Sequence, residues 1–439
     1  MKTAKFGGTS LADAGRFLQV RDIILSDPEI RFVVVSAPGK RFKEDKKITD
    51  MLYACHDSVR HGVDAKHAFR QVADRFRQIA KELGLKIDLE TEFKNVESDL
   101  EAGASIDYCA SRGEYFSALI MSALLQWPLI DPAQCLFFDH NGGANLDMAN
   151  RELKRVIGES SCGVMPGFYG AMAGGGVRTF ARGGSDISGA LLANASGSDV
   201  YENWTDVPGI FNGDPSTVPD ADVIPAMAYE EIRELAYMGA NVLHEDAVFP
   251  ARRMGIPIHM RYTMDPSAPG TVISAVTGGS QIPVTGISGR RGYATVQIEK
   301  ESMNSTVGYC RRILSAFEKN GVPFDHIATG LGSVSLVAPV GSVEDCRDTL
   351  IADITAAVNP DSISIDKGLA MISVVGSDMA GKPGVAGRLL SAIGRAGINV
   401  RMIVQGTREI NITVGVSERD YEKAVRAAHS EFFRAEHTA

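Results

Sequence analysis

Apolar residues follow two alternating rhythms over the first 280 positions. Lys2–Phe6 is a short apolar run, and residues 11–25 place Leu11, Phe17, Leu18, Ile23 and Ile24 at helical spacing. Residues 31–36 form a β-branched run. Helical patterns follow over 47–60, 64–83 and 107–126, and short strands are predicted at 129–130, 136–138, 200–204 and 256–262. Strands that are apolar at every position are buried on both faces. Their alternation with helices predicts an α/β domain around a mostly parallel sheet sandwiched by helices.

The last part of the chain repeats itself. Adding 76 to a residue number pairs Gly292 with Gly368, Ala294 with Ala370, Gly308 with Gly384, Arg312 with Arg388, Gly321 with Gly397 and Gly330 with Gly406. So many identities at one offset indicate a duplication. Each copy reads strand, helix, strand, strand, helix: 294–298, 307–319, 324–328, 334–338 and 344–357, then 371–375, 385–396, 400–404, 410–414 and 420–433. Two long units are not a solenoid; they are two ferredoxin-like βαββαβ modules. Clustered proline and glycine over 265–285 mark the boundary. The expected domains are therefore 1–280, 281–361 and 362–439.

Composition alters this picture in one respect. Glycine is 45 of 439 residues, about 10% against a usual value of roughly 7%. That points to tight turns or to backbone that approaches a ligand. The paired glycines of the duplication are expected at its turns. A net charge of -9 argues against a nucleic-acid binder that relies on bulk positive charge. Six scattered cysteines without a C-x-x-C pair, and no apolar signal core at the start, predict reduced thiols in a cytoplasmic protein. No run of 18 apolar residues predicts a membrane span.

The common nucleotide-binding and hydrolase signatures are absent, and His244-Glu245 lacks the second histidine of a zinc-protease string. Instead Lys5 ends a strand, Gly7 and Gly8 follow, and Thr9 and Ser10 open a helix. Glycines let backbone amides reach a phosphate, and a helix N-terminus favours negative charge; an ordinary capped turn would read the same way. A second cluster, Arg182-Gly183-Gly184-Ser185-Asp186, enters a helix over 187–193. A third, Trp204 to Pro215, leaves the strand at 200–204, on the edge where open α/β sheets bind ligands.

Together these elements resemble the aspartate kinases of the amino-acid kinase family. The resemblance includes Val33 to Ser36, Arg112-Gly113-Glu114, Gly167-Phe168, Trp204 to Gly209 and Val242-Leu243-His244. The duplicated modules look like that family's two ACT domains. The resemblance implies that ATP phosphorylates the side-chain carboxylate of L-aspartate to 4-phospho-L-aspartate, the first step toward lysine, threonine and methionine.

By that resemblance Lys5, with amides near Gly7, Gly8 and Thr9 and with Mg²⁺, would neutralise the transferring phosphate. Ser36 and Thr49 would hold the substrate near its reacting carboxylate, and Arg182 would pair its α-carboxylate. Glu114, with Asp186, would take the ammonium group; Phe168, Gly183, Gly184 and Ser185 would shape the pocket. Thr205, Asp206, Phe211, Asp214 and Asn241 would border the nucleotide. No metal is assigned protein ligands. Asn241, Glu245 and Ser216 depart from the family pattern, which removes two cations near the nucleotide. The basic stretch Lys40 to Lys47 reads as a solvated loop or as a lid. Met303, Thr306, Gly308, Asp325 and Thr329 would form an effector pocket for lysine or threonine, and the ACT modules would make a homodimer or a tetramer. A kinase for another small acid, and an amino-acid sensor with a degenerate kinase domain, are the competing readings.

Overall fold

The computed structural model describes residues 1–139, 145–158, 160–172, 174–180, 183–240, 243, 245–275, 282–301 and 303–434. The chain divides into two compact units. The first comprises Met1–Ile210, Val223–Arg233 and Asn241–Thr277; the second comprises Phe211–Asp222, Glu234–Ala240 and Gly278–Ala439.

In chain order the first elements are β1 (Lys2–Phe6), α1 (Ala14–Ser26), β2 (Ile30–Val35), α2 (Ile48–Arg60), α3 (Ala65–Glu82), α4 (Leu89–Glu101) and α5 (Ile106–Leu125). There follow β3 (Phe137–Phe138), α6 (Leu146–Ile157), β4 (Gly163–Pro166), β5 (Tyr169–Met172), β6 (Val177–Thr179), α7 (Gly184–Ser196) and β7 (Val200–Thr205). Then come β8 (Ala226–Ala228), α8 (Tyr229–Tyr237), α9 (Glu245–Met254), β9 (Ile258–Tyr262) and β10 (Thr271–Ser274). Seven strands form one sheet in the order β4-β2-β1-β7-β9-β10-β8. All neighbours pair in parallel except β9 and β10. Strands β1, β2 and β7 are buried almost throughout, as central strands covered on both faces are, although Lys5, Glu202 and Asn203 interrupt their apolar positions.

Three local expectations shift. The first helix starts at Ala14, not at residue 11, because the Asp13 carboxylate accepts the Arg16 amide at 3.0 Å and caps it there. Residues Gly8–Leu11 form a separate 3-10 turn. Residues 129–130 make only an isolated bridge between Leu129 and Val164. Helices α4, α6, α8 and α9 lie outside the helical patterns read from the sequence. The first buries Leu89, Phe93, Val96 and Leu100, with Phe93 against Phe69 and Phe116.

The duplicated region builds β11 (Gly286–Glu299), α10 (Tyr309–Lys319), β12 (His326–Thr329), β13 (Ser333–Pro339), α11 (Val340–Glu344) and α12 (Arg347–Val358). It continues with β14 (Ser362–Val375), α13 (Val385–Arg395), β15 (Val400–Gln405), β16 (Asn411–Ser417) and α14 (Tyr421–His429). All six strands form one antiparallel sheet, β12-β13-β11-β14-β16-β15. The long strands β11 and β14 each serve both copies. The end of β11 pairs with the start of β14, and Gly286 to Arg290 pair with Val375 to Met371. Thus the strand that completes the second copy comes from in front of the first.

This changes the meaning of one glycine pair. Gly292 and Gly368 do not sit at turns; they lie inside β11 and β14, with φ of 82° and 75°. The pairing register between the two strands breaks on both sides of Tyr293. A left-handed residue at such a bulge lets one strand bend from one module's layer into the next. Among the described residues, no helix is long and apolar enough to cross a membrane.

Candidate active site

Because β4, β2, β1 and β7 are parallel neighbours, the segments leaving their carboxyl ends emerge on one edge of the sheet. Those segments hold Gly7, Gly8 and Thr9, then Ser36, Phe168, and Thr205 with Asp206. Seven of the sequence candidates thus meet at one place although they span some 200 residues of chain.

Lys5 stands one residue before the end of β1, with its side chain only 10% exposed. Its Nζ lies 2.5 Å from Asp186 Oδ1 and donates to Asn203 Oδ1 at 3.3 Å. The Asn203 amide donates in turn to Asp186 Oδ1 at 2.9 Å. Asp186 comes from the first turn of α7, and Asn203 is the register partner of Lys5 on β7. A buried cation is therefore held by one carboxylate and one neutral amide. Asn203 escaped the sequence reading. The available signal was a short polar residue in an apolar strand that leads into the Trp204 loop.

The glycine turn is tightly packed. Gly7 N–H donates to the Trp204 carbonyl at 3.1 Å, and Gly39 N–H donates to the Gly8 carbonyl at 2.7 Å. A Cβ on Gly8 would lie 2.6 Å from the Ala37 carbonyl oxygen. Thr9 is exposed, whereas Ser10 is buried and bonded to Thr263 at 2.7 Å. Ser10 thus fixes the turn, and Thr9 faces solvent.

Glu114 is buried on α5, and its Oε2 has no partner in the structure. Burial pushes its carboxyl up to about 8, against the opposing pull of the Ala37 amide, its own amide and Arg112. The helix can come this close because residue 113 is glycine: a Cβ there would meet Ala37 Cβ at 2.7 Å and Ile48 Cγ2 at 3.2 Å. The same contact carries the first turn of α2, where half-buried Thr49 sits. Arg112 points into a cage of rings, 4.5 Å from Tyr108, 4.6 Å from Tyr115 and 5.4 Å from Tyr169.

Gly183 precedes α7 in the left-handed region, at φ 61°. Gly184 and Gly167 leave room for close neighbours: a Cβ on Gly184 would meet the Phe168 ring at 2.7 Å, and one on Gly167 would meet Ser185 Cβ at 2.7 Å. Phe168 itself has φ 77°, and its amide donates to Ser188 Oγ at 3.1 Å. A bulky residue in the left-handed region is strained and persists only where its surroundings hold it. Arg182 and Asn241 lie outside the described residues.

Of the remaining nucleotide candidates, Thr205 donates to Asp206 Oδ1 at 3.3 Å. Phe211 and Asp214 fall in the second unit. There the Asp214 carboxylate accepts the Ser216 amide at 2.9 Å and its hydroxyl at 2.7 Å. Among the effector candidates, Met303 is buried at the start of a short turn, Thr306 and Thr329 are exposed, and Gly308 caps α10. Asp325 already accepts a hydrogen bond from the Tyr237 hydroxyl at 2.6 Å. The basic stretch is anchored through Asp45, which bonds Arg41 at 2.8 Å and Arg75 at 3.0 Å.

The profile of the Amino acid kinase family matches residues 3–261, and that of the ACT domain matches residues 372–432. Aspartokinase 3 of Bacillus subtilis is 34% identical, covering 99% of each chain. The crystal structure of the Clostridium acetobutylicum aspartate kinase, described as an allosteric enzyme, superposes with a TM-score of 0.89. It is 40% identical and covers 98% of this chain and 99% of its own. E. coli aspartokinase III, solved with aspartate and ADP, reaches a TM-score of 0.79 at 25% identity over 99% of this chain and 100% of its own. Solved with lysine and aspartate, it reaches 0.76 at 26% over 99% of each.

Proposed function

The chain belongs to the aspartate kinases, amino acid kinase family members, with an ACT domain at its C-terminal end, and from that membership we propose how its residues divide the work. It is an ATP-dependent phosphotransferase with a carboxyl acceptor. The reaction joins an aspartate side-chain oxygen to the γ-phosphorus while the bond from that phosphorus to the bridging oxygen of ADP breaks. The attacking carboxylate is ionised at neutral pH, so no general base is needed. The obstacle is an anion approaching a polyanion, which is met by positioning and charge neutralisation.

The observation that carries the assignment is the Lys5 cluster. Its Nζ sits at the carboxyl edge beside the glycine turn, oriented by Asp186 and Asn203. Lys5 would meet the transferring phosphate, with the amides of Gly8 and Thr9 around it; the Gly7 amide is already bonded to the Trp204 carbonyl. The unpaired Oε2 of Glu114 would accept the substrate ammonium. Ser36 and Thr49 would hold the reacting carboxylate, and Arg182 the α-carboxylate; Phe168 and residues 183–185 would wall the pocket. Thr205, Asp206, Phe211, Asp214 and Asn241 would border the nucleotide.

Among the described residues no three His, Cys, Asp or Glu side chains gather as a metal cage. Mg²⁺ would arrive on the nucleotide, where phosphate oxygens and water supply most of its ligands. When bound, it would spread the negative charge of the phosphates. The deciding assay supplies ATP with L-aspartate and traps the acyl phosphate with hydroxylamine. Hydroxamate from aspartate is the expected product. Product from another acid alone, or from none, would end this reading.

In the cell this would be a cytoplasmic enzyme opening the route to lysine, threonine and methionine. Its domains would be 1–280, 281–361 and 362–439, the last two pairing between subunits. Feedback is assigned to Met303, Thr306, Gly308, Asp325 and Thr329, with lysine as the effector, supported by the lysine complex of the E. coli relative, and threonine as the rival. An effector ammonium would compete with the Tyr237 hydroxyl for Asp325. Tyr237→Phe should therefore tighten lysine binding several-fold and Asp325→Ala should weaken it, both read by calorimetry. Unchanged affinity in both variants would move the pocket away from Asp325.

A further inference from the structure

Arg75 occupies a core-facing position of α3. Phe69, Val72, Phe76 and Ile79 along that face are buried, and Arg75 itself is 6% exposed. A guanidinium out of water is costly unless its donors are met. Here Nη1 donates to Asp45 Oδ2 at 3.0 Å and to the Lys46 carbonyl at 3.1 Å. Nη2 donates to the carbonyls of Ala12 at 3.0 Å and Gly39 at 2.5 Å, while Nε is buried without a partner.

The three carbonyls come from three different places. Ala12 closes the 3-10 turn that follows the two glycines. Gly39 is the residue whose amide bonds the Gly8 carbonyl at 2.7 Å. Lys46 lies two residues before α2, whose first turn carries Thr49. Between the last two runs the basic stretch, with Lys40, Lys43, Lys46 and Lys47 exposed. Asp45 pins its middle, accepting the Arg41 amide at 3.0 Å, Nε at 2.8 Å and Nη2 at 3.1 Å. There is no slack at the joint: a Cβ on Gly39 would lie 2.8 Å from Gly8 C and from Thr9 N. Planar, five-donor arginine can serve three segments at once; a lysine ammonium cannot hold the same fork.

We propose that Arg75 is a positioning residue for the nucleotide phosphates: it locks the 39–47 segment against the Gly8 turn and so sets where the turn's amides and the segment's lysines meet the triphosphate. This rests on reading the glycine turn as the ATP phosphate site. Its four bonds all go to backbone carbonyls or to Asp45, so it acts through them.

The test uses the full chain with Asp45→Asn, Arg75→Lys and Arg75→Met. Asp45→Asn leaves the three carbonyl bonds in place, so it keeps the test open if Arg75→Met fails to fold. MgATP binding is measured by calorimetry without aspartate, where the stoichiometry reports the folded fraction separately from the affinity. Trypsin cleavage within residues 40–47 is followed in parallel. Folded Arg75→Met should bind MgATP about tenfold more weakly and be cut several-fold faster, with Arg75→Lys and Asp45→Asn between it and the parent. Affinity within twofold of the parent, with or without faster cleavage, overturns the proposal while leaving the kinase reading intact. A parent chain that binds no MgATP overturns the phosphate-site reading, and this role of Arg75 with it.

Discussion

Replacing Lys5 by methionine should lower turnover by roughly a thousandfold while the protein stays folded. The expected loss is large because nothing else described at the glycine turn supplies a fixed positive charge at that depth. Lys5 Nζ is held at 2.5 Å by Asp186 and at 3.3 Å by Asn203, so its position costs no rearrangement when the phosphate arrives. Stability should suffer less. Methionine keeps the length of the stem, and Asp186 retains the Asn203 amide at 2.9 Å. The carboxylate left behind is only 13% exposed but keeps that one amide donor, so the cost is about 3 kcal/mol. The measurement is hydroxamate formation from ATP and aspartate, with the thermal midpoint alongside. A folded variant that keeps more than a tenth of the parent's turnover would remove Lys5 from the transfer step. Asn203→Ala should fall between the two, since it loosens the ammonium without deleting it.

Much of this arrangement could be read from the chain, and the failures have identifiable causes. The apolar runs of β1, β2 and β7 and the 76-residue offset of the duplication are local patterns, so they predicted strands and modules directly. Helix α4 has Leu89, Phe93, Val96 and Leu100 at helical spacing, but charged and polar residues fill every position between them, so its apolar stripe amounts to only four residues in the sequence. Asn203 shows locally only as a polar residue within a strand; its meaning lies in the register that sets it beside Lys5. Arg75 is harder still. Its sequence context is an amphipathic helix, where an arginine normally reads as surface, and only the fold shows it facing three backbone segments. The sharing of β11 and β14 between the modules was also invisible, since pairing order leaves no mark on one copy's sequence. The repeated Gly292 and Gly368 pair reads as turns in the sequence because a bulge and a turn ask for the same residue.

The second large effect concerns pH. In the ligand-free protein Glu114 carries a raised carboxyl, near 8, because it is buried. To take an ammonium group it must be ionised, so below that value binding has to expel a proton. Aspartate affinity should therefore strengthen by up to about tenfold per pH unit between roughly 6 and 8 and then level off. Calorimetry in buffers of different ionisation enthalpy should show close to one proton released per aspartate near pH 6.5. Glu114→Gln should bind aspartate weakly and with little pH dependence over that range. The same residue makes a separate statement about stability. Its folded value lies above its unfolded value, so its favourable contribution is complete below the ordinary carboxylate range. That contribution is lost as pH rises toward 8. Glu114→Gln, which never ionises, should gain stability over the parent as pH climbs from 5 to 8, by a few kcal/mol at most. A flat aspartate affinity with a rising stability difference would leave Glu114 as a buried structural acid and move the ammonium site elsewhere. A flat result in both would mean that the carboxyl is ionised and paired before any substrate binds.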